Sequence, residues 1–226
     1  MAISCSCFLP CRKGSERVPQ KNIKTFGFKG MSLVRHKIEQ LIKANVFSEI
    51  VVSTDDEMVM EIVHEFFKDE VLLIERAPQL ARSSTKLVNL VKHAGDVCSY
   101  EWLLWTHVTS PFCTANIYQH AIKEMERSLD NGFDSLLSVQ KMHDYFWYNG
   151  KPINISKGRS KWPATQTLEP LFKVNNAIFL SKKSDYTIRH DRLGASPYLF
   201  EMTGLQSTDI DDPEDFDIAE CLFKHM

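Results

Sequence analysis

The stretch Ile3–Asn22, ISCSCFLPCRKGSERVPQKN, changes character within twenty residues. Up to Pro10 it is nearly continuous in apolar side chains and thiols, the pattern of a strand covered on both faces, with Cys5 and Cys7 sharing one face toward a core. Immediately afterwards it shows Arg12, Lys13, Arg17 and Lys21 around Gly14 and Ser15. A glycine-containing turn behind a buried strand can aim backbone N–H groups at an anion, with Arg12 as a planar fork and Lys21 as a point charge beside it. The turn is neither a Walker A loop nor a dinucleotide G-x-G-x-x-G. Its composition predicts a polyanion at the carboxyl end of the first strand.

The rest of the chain repeats that strand. EIVVST (49–54), EVLLIE (70–75), WLLWTHV (102–108) and DSLLSV (134–139) are short apolar runs. Between them Val34, Ile38, Leu41 and Ile42, then Val59, Ile62, Val63 and Phe66, then Leu87, Leu90, Val91 and Ala94, then Ile117, Ala121, Ile122 and Met125 fall on single helical faces. Ser32, Asp55 or Asp56, Ser83 or Ser84, and Thr114 stand at the N-cap positions. The alternation predicts an α/β fold, a three-layer αβα doubly wound and mostly parallel sheet of Rossmann-like type, as one domain over 1–226. Ligands of such sheets bind beyond the carboxyl ends of the strands, where the turns STDD (53–56) and HVTSPF (107–112) join the basic turn. From Lys141 to Asn176 the rhythm breaks, and Asn149-Gly150 predicts a hairpin inside an inserted lid or dimerisation element.

Composition narrows the function. With 226 residues, 43% hydrophobic and 25% charged at a net charge of −2, the chain lacks the basic face of a general nucleic-acid or membrane binder. The first residues carry no basic leader, and Ser4, Ser6 and Pro10 interrupt the apolar run, so the expected location is the cytoplasm. Six cysteines are present. Without a C-x-x-C pair they read as structural thiols rather than metal ligands, and disulfides are not expected in a reducing compartment.

The chain ends in STDIDDPEDFDIAECLFK (207–224). In an extended segment Asp209 and Asp211 point to one side while Ile210 faces the other. Paired hard carboxylates of this kind suit Mg²⁺ that is also held by substrate phosphates. Asp212-Pro213 then opens a helix whose buried face is Phe216, Ala219, Leu222 and Phe223.

LPCRKGSERVPQKN (9–22) resembles the signature of the sugar-acid cytidylyltransferases, the family of the acylneuraminate (CMP-sialic acid) synthetases. IVVSTDD (50–56), ERAPQLA (75–81), VTSPF (108–112), FKVNNAIF (172–179) and TDIDD (208–212) follow in that family's order, so the resemblance spans nearly the whole chain. It implies a nucleotidyltransferase that binds CTP and a 2-keto sugar acid. The anomeric hydroxyl attacks the α-phosphate to give a CMP-sugar and pyrophosphate with Mg²⁺ as cofactor. By position, Leu9, Arg12, Gly14, Ser15, Lys21, Asn22 and Arg76 would meet the nucleotide. Arg12, Lys21, Asp209 and Asp211 would act in catalysis, and the two aspartates would carry the metal. His107, Thr109, Gln166, Lys173 and Asn175 would meet the sugar. The resemblance also implies a homodimer built through the 141–176 element.

Several positions depart from the family pattern. Glu16 replaces a usual Lys, His107 stands where many members have Gln, Cys113 stands where a basic residue often follows, and LARSST lacks a customary Asp. No clear Arg lies between Gln166 and Asn175 for the sugar carboxylate, leaving Lys173, Arg159 or Lys161 in its place. Two alternatives therefore remain beside the leading one: a nucleotidyltransferase with another acceptor or nucleotide, and an inactive member that only binds nucleotide. His107 is open between a sugar contact and a strand-end histidine bonded to backbone, whereas Trp102 and Trp105 read as core.

Overall fold

A computed structural model describes residues 3–155 and 162–226; Arg159 and Lys161 lie outside the described residues. Cys5–Cys11 forms the first strand, β1, and alternates its side chains between two cores. Cys5, Cys7, Leu9 and Cys11 enter the larger core and Phe8 the smaller one. The next strands, β2 (Glu49–Thr54) and β4 (Trp102–Trp105), do likewise: Val52 and Leu104 face one side, Val51, Leu103 and Trp105 the other. A sheet apolar on both faces needs a helical layer on each. Helices α1 (Leu33–Ala44), α2 (Glu57–Phe66), α5 (Ala115–Leu129) and α6 (Pro213–Lys224) cover the larger core. Helix α4 (Leu87–Val97) and the turn Asp185–Arg189 cover the smaller.

With β3 (Leu72–Glu75), β5 (Ser135–Met142), β8 (Leu171–Lys182) and β9 (Pro197–Glu201), the sheet has seven strands in the order β3-β2-β1-β4-β8-β5-β9. Only β8 runs antiparallel to its neighbours β4 and β5. The expected mostly parallel αβα sheet is what the chain forms.

Boundaries shift where local bonds compete with the ladder. Residues Glu70 and Val71 bond back to the Phe67 carbonyl at the end of α2, so β3 begins at Leu72 rather than Glu70. Strand β4 stops at Trp105, opposite Phe179, because β8 bulges just beyond that pair. Ser32 and Asp56 cap α1 and α2 as expected, accepting from Arg35 N and Met58 N. Neither Ser83 nor Ser84 caps α4, which starts after Lys86 without a side-chain cap. Thr114 holds the cap position of α5 without a side-chain cap bond; Gln40 accepts the Ala115 N–H instead, at 3.1 Å. Asp212 and Asp215 close a capping box on α6, with Pro213 at its first turn.

Asn149 and Gly150, both at positive φ, join β6 (Trp147–Tyr148) to β7 (Lys151–Pro152), the hairpin that the Asn-Gly pair predicts. Residues 141–142 and 171–174 pair in the central sheet, so the irregular insertion is shorter than the 141–176 span. A short helix, α3 (Pro78–Ala81), follows β3. No helix among the described residues is long and apolar enough to cross a membrane.

Candidate active site

Three turns and one β-bulge meet at the carboxyl edge of the sheet, and α1 ties them down from beneath. The His36 ring holds the Pro111 carbonyl at 2.9 Å, and the buried Lys37 ammonium donates to Ser110 O (2.7 Å), Cys113 O (3.2 Å) and Tyr118 Oη (2.8 Å). Lys37 thus donates all three of its hydrogens, which is what a buried ammonium requires. Tyr118 and Thr106 carry the network to the Ala177 carbonyl in the β8 bulge.

That bulge sets Asn175–Ile178 against Ser138 of β5, whose hydroxyl donates to Asn175 Oδ1 and accepts from Ile178 N. Its distortion turns Asn176, at φ +58°, toward the aspartate segment, where its amide donates to Asp209 Oδ2 at 3.0 Å. The aspartate segment is itself sewn to the VTSPF turn by Ile210 N donating to Thr109 O, and Ile210 is fully buried.

Two clefts share this edge. The first, about 270 Å³, is lined by Pro10, Arg12, Arg76, Arg82, Ser83 and His107, among others. The second, about 360 Å³, has Lys21, His107, Asn176, Arg192, Asp209 and Asp211 in its wall. His107 belongs to both.

The electrostatics differ between them. Arg76 is almost wholly buried, and its guanidinium donates to Ser53 O and Ser53 Oγ. Loss of solvent lowers its pKa. Lys21 donates to the Ile210 carbonyl at 2.6 Å. Burial lowers its pKa, with Asp211 and Asp209 pulling the other way. Arg17 pairs with Asp211 at 2.8 Å. Asp209 Oδ1 is buried without a hydrogen-bond partner among the described residues. An orphaned carboxylate oxygen at a cleft wall is costly unless a cation reaches it, and Mg²⁺ fits this donor set of two carboxylates. Among the described residues no three His, Cys, Asp or Glu converge, so the remaining ligands would be phosphate oxygens and water. Burial holds the thiol pKa values of Cys5, Cys7 and Cys11 high, which keeps them protonated and unsuited to metal.

His107 has a fixed tautomer. Trp105 Nε1, which can only donate, points at His107 Nε2 at 2.9 Å, so that nitrogen is bare and Nδ1 carries the proton. Burial and the positive charge of Arg192 push its pKa down to about 3. The residue is a neutral donor at ordinary pH.

Residues 6–201 match the family model described as cytidylyltransferase. The chain belongs to the cytidylyltransferase family. It is similar to an N-acylneuraminate cytidylyltransferase of Streptococcus agalactiae, 28% identical over 93% of this chain and 51% of that protein. It is also similar to a pseudaminic acid cytidylyltransferase of Campylobacter jejuni, 28% identical over 52% of this chain and 51% of that one. The chain spans about half the length of the first of these curated relatives. The backbone resembles that of a CMP:2-keto-3-deoxy-manno-octonic acid synthetase solved with CTP, with a TM-score of 0.68 at 14% identity over 98% of this chain and 99% of that one.

In this member of the family the structure gathers Arg12, Arg76 and His107 at the first cleft and Lys21, His107, Thr109, Asp209 and Asp211 at the second. Gly14 sits on the basic turn at φ +70° with open space where a Cβ would stand, and Ser15 follows it. That turn is braced by Lys13 N donating to Asp55 and by the Asn22 amide donating to the Arg12 carbonyl. The Asn22 amide thus uses one of its two N–H groups within the turn. Leu9 is buried in the core, which leaves only its backbone for a ligand.

The remaining sugar candidates stand apart. Gln166 is exposed on a short turn at Thr165–Thr167, and Lys173 borders an apolar groove with Met142 and Phe146. Asn175 is buried against Ser138 and Met202, so it builds the bulge that places Asn176. Cys113 is fully buried. Glu16 pairs loosely with Arg12 at 3.9 Å across exposed surface.

Sequence reasoning missed Asn176, Arg192, Arg82 and Ser83 as cleft residues. Asn176 lies in FKVNNAIF (172–179) and is legible as an Asn suited to positive φ; nothing in the sequence marks Arg192.

Proposed function

We propose that the chain is an Mg²⁺-dependent cytidylyltransferase that transfers CMP from CTP to the anomeric hydroxyl of a 2-keto sugar acid, an N-acylneuraminate or related nonulosonate, with release of pyrophosphate. The observation that carries the reading is the junction of the two clefts at His107, with Arg12, Arg76 and Arg82 on one side and the Asp209–Asp211 pair beside Lys21 on the other. The activities named for the streptococcal and Campylobacter relatives support the acceptor class.

In this reading the nucleotide occupies the first cleft beside Arg12, Arg76, Arg82 and Ser83, and its phosphates extend along the basic turn. Lys21 stands over the aspartate segment, where its charge would stabilise the pentacovalent α-phosphoryl group. Asp209 and Asp211 would hold Mg²⁺, which when bound neutralises phosphate charge. The acceptor occupies the second cleft, positioned by the His107 Nδ1–H and by Thr109. Its hydroxyl forms the new P–O bond as the bond to pyrophosphate breaks. Enclosure between two walls supplies orientation, which is much of what a phosphoryl-transfer site contributes. The exposed aromatic hairpin around Trp147 and Tyr148 would be covered by a second copy, and the location would be the cytoplasm.

Asp209→Ala and Asp211→Ala test the reading. Both should abolish CMP-sugar formation while thermal unfolding stays cooperative. Full activity in either variant would overturn the assigned roles.

A further inference from the structure

The cations of the second cleft are not equally engaged. Arg17 is committed to Asp211 at 2.8 Å and Lys21 to the Ile210 carbonyl at 2.6 Å. Arg192 differs: its guanidinium lies 3.7 Å from the Phe179 ring centroid and 5.2 Å from that of Trp105, and among the described residues no carboxylate pairs with it. The neighbouring Asp191 is turned onto the backbone, accepting from Arg192 N and Leu193 N. Burial disfavours the charged form of Arg192 and lowers its pKa. A stacked, partly desolvated guanidinium that feels the Asp191 charge but makes no ion pair among the described residues is primed for an anion.

The loop that carries it is a built feature. His190 ends the preceding turn at φ +59°, and Asp134 accepts from Ala195 N at 2.7 Å and Ser196 N at 2.9 Å. Gly194 packs so closely that a Cβ there would stand 2.2 Å from Asp134 Oδ1. Any larger residue would push the loop off its anchor, and Arg192 with it.

Resting on the acceptor class proposed above, we infer that Arg192 reads the acceptor's carboxylate, held flat by Phe179 and Trp105, with the His107 Nδ1–H as the donor beside it. A carboxylate suits the planar fork of a guanidinium, which can offer it two parallel N–H groups. The triphosphate already has Arg12 and the basic turn at the other cleft. The position sought between Gln166 and Asn175 is thus filled from the segment between β8 and β9. Lys173 is directed to the apolar groove instead.

The test is steady-state kinetics of the wild type, Arg192→Met and Arg192→Lys with CTP and whichever of N-acetylneuraminate, legionaminate or pseudaminate the wild type accepts. The same acceptor is also assayed as its carboxamide. Arg192→Met should raise the acceptor KM about 10- to 100-fold, the range for losing a charge-assisted hydrogen bond, with the KM for CTP unchanged. Arg192→Lys should recover only part of the loss. The carboxamide should impose a similar penalty on the wild type and little further penalty on Arg192→Met. An unchanged acceptor KM, additive penalties for variant and carboxamide, or a rise confined to CTP would overturn the inference while leaving the proposed reaction standing. Turnover with none of the acids would instead contradict the proposed reaction, and this inference with it. An Arg192→Met protein that unfolds would leave the carboxamide comparison on Arg192→Lys to decide, since that variant keeps the charge but not the fork.

Discussion

Asp209 has one oxygen on the Asn176 amide and the other buried with no partner among the described residues, an arrangement that costs the apo fold stability. Asp209→Asn should therefore raise the melting temperature by a few degrees, in line with about 1 kcal/mol, while lowering turnover at least about 100-fold. Scanning calorimetry beside an initial-rate assay checks both. A fall in both quantities would point to a structural acid. Glu16 makes a second residue-scale case. It sets a negative charge 3.9 Å from Arg12 at the mouth of the nucleotide cleft, exposed enough for the effect to be small. Glu16→Lys should lower the KM for CTP about 2- to 5-fold without changing kcat, and more so at low salt. At this scale the sequence was most informative where residue type and spacing alone decide chemistry, as in Asp209-Ile210-Asp211. It was least informative where an element had to bend first: Asn175 and Asn176 are neighbours, and only the bulge tells which enters the core and which the cleft.

Elements, not single residues, hold the site open. The VTSPF turn hangs from α1 through His36 and Lys37, the aspartate segment hangs from that turn through Thr109, and Tyr118 and Thr106 join both to the β8 bulge. Lys37→Met removes the donor shared by two carbonyls and a phenol. It should cost about 2–3 kcal/mol in urea unfolding and reduce kcat more than the KM for CTP. A loss of stability with kcat intact would mean that the turn keeps its shape without Lys37. The strands β1 and β2 and helices α1, α2, α5 and α6 were legible because their apolar periods repeat cleanly. Strand β9 was not, since it is a five-residue edge strand that follows an irregular loop. Nor was the full length of β8, whose mostly exposed Leu171–Asn175 portion is set off by the bulge from the buried run that follows it.

Over the whole molecule, three histidines are kept neutral by the fold. Burial lowers the pKa values of His36, His93 and His107, the last to about 3. In the unfolded chain they titrate near about 6.5, so below that pH the unfolded state binds protons the folded state refuses. Their contribution is complete above about pH 6.5 and is lost as the pH falls toward the folded values. The melting temperature should decline from about pH 6.5 to 5, and His36→Gln should flatten the decline. A flat profile in the wild type would show that these rings gain protons without cost.

In the proposed function, two clefts meeting at His107 join a cytidine nucleotide to a sugar acid. The most direct measurement is pyrophosphate release with Mg²⁺, each of the four nucleoside triphosphates, and N-acetylneuraminate, legionaminate, pseudaminate or a shorter 2-keto sugar acid. Release is expected with CTP and one nine-carbon acid, and only background with the other triphosphates. Equal release from another triphosphate, or none from CTP with any acid, would contradict the proposed function.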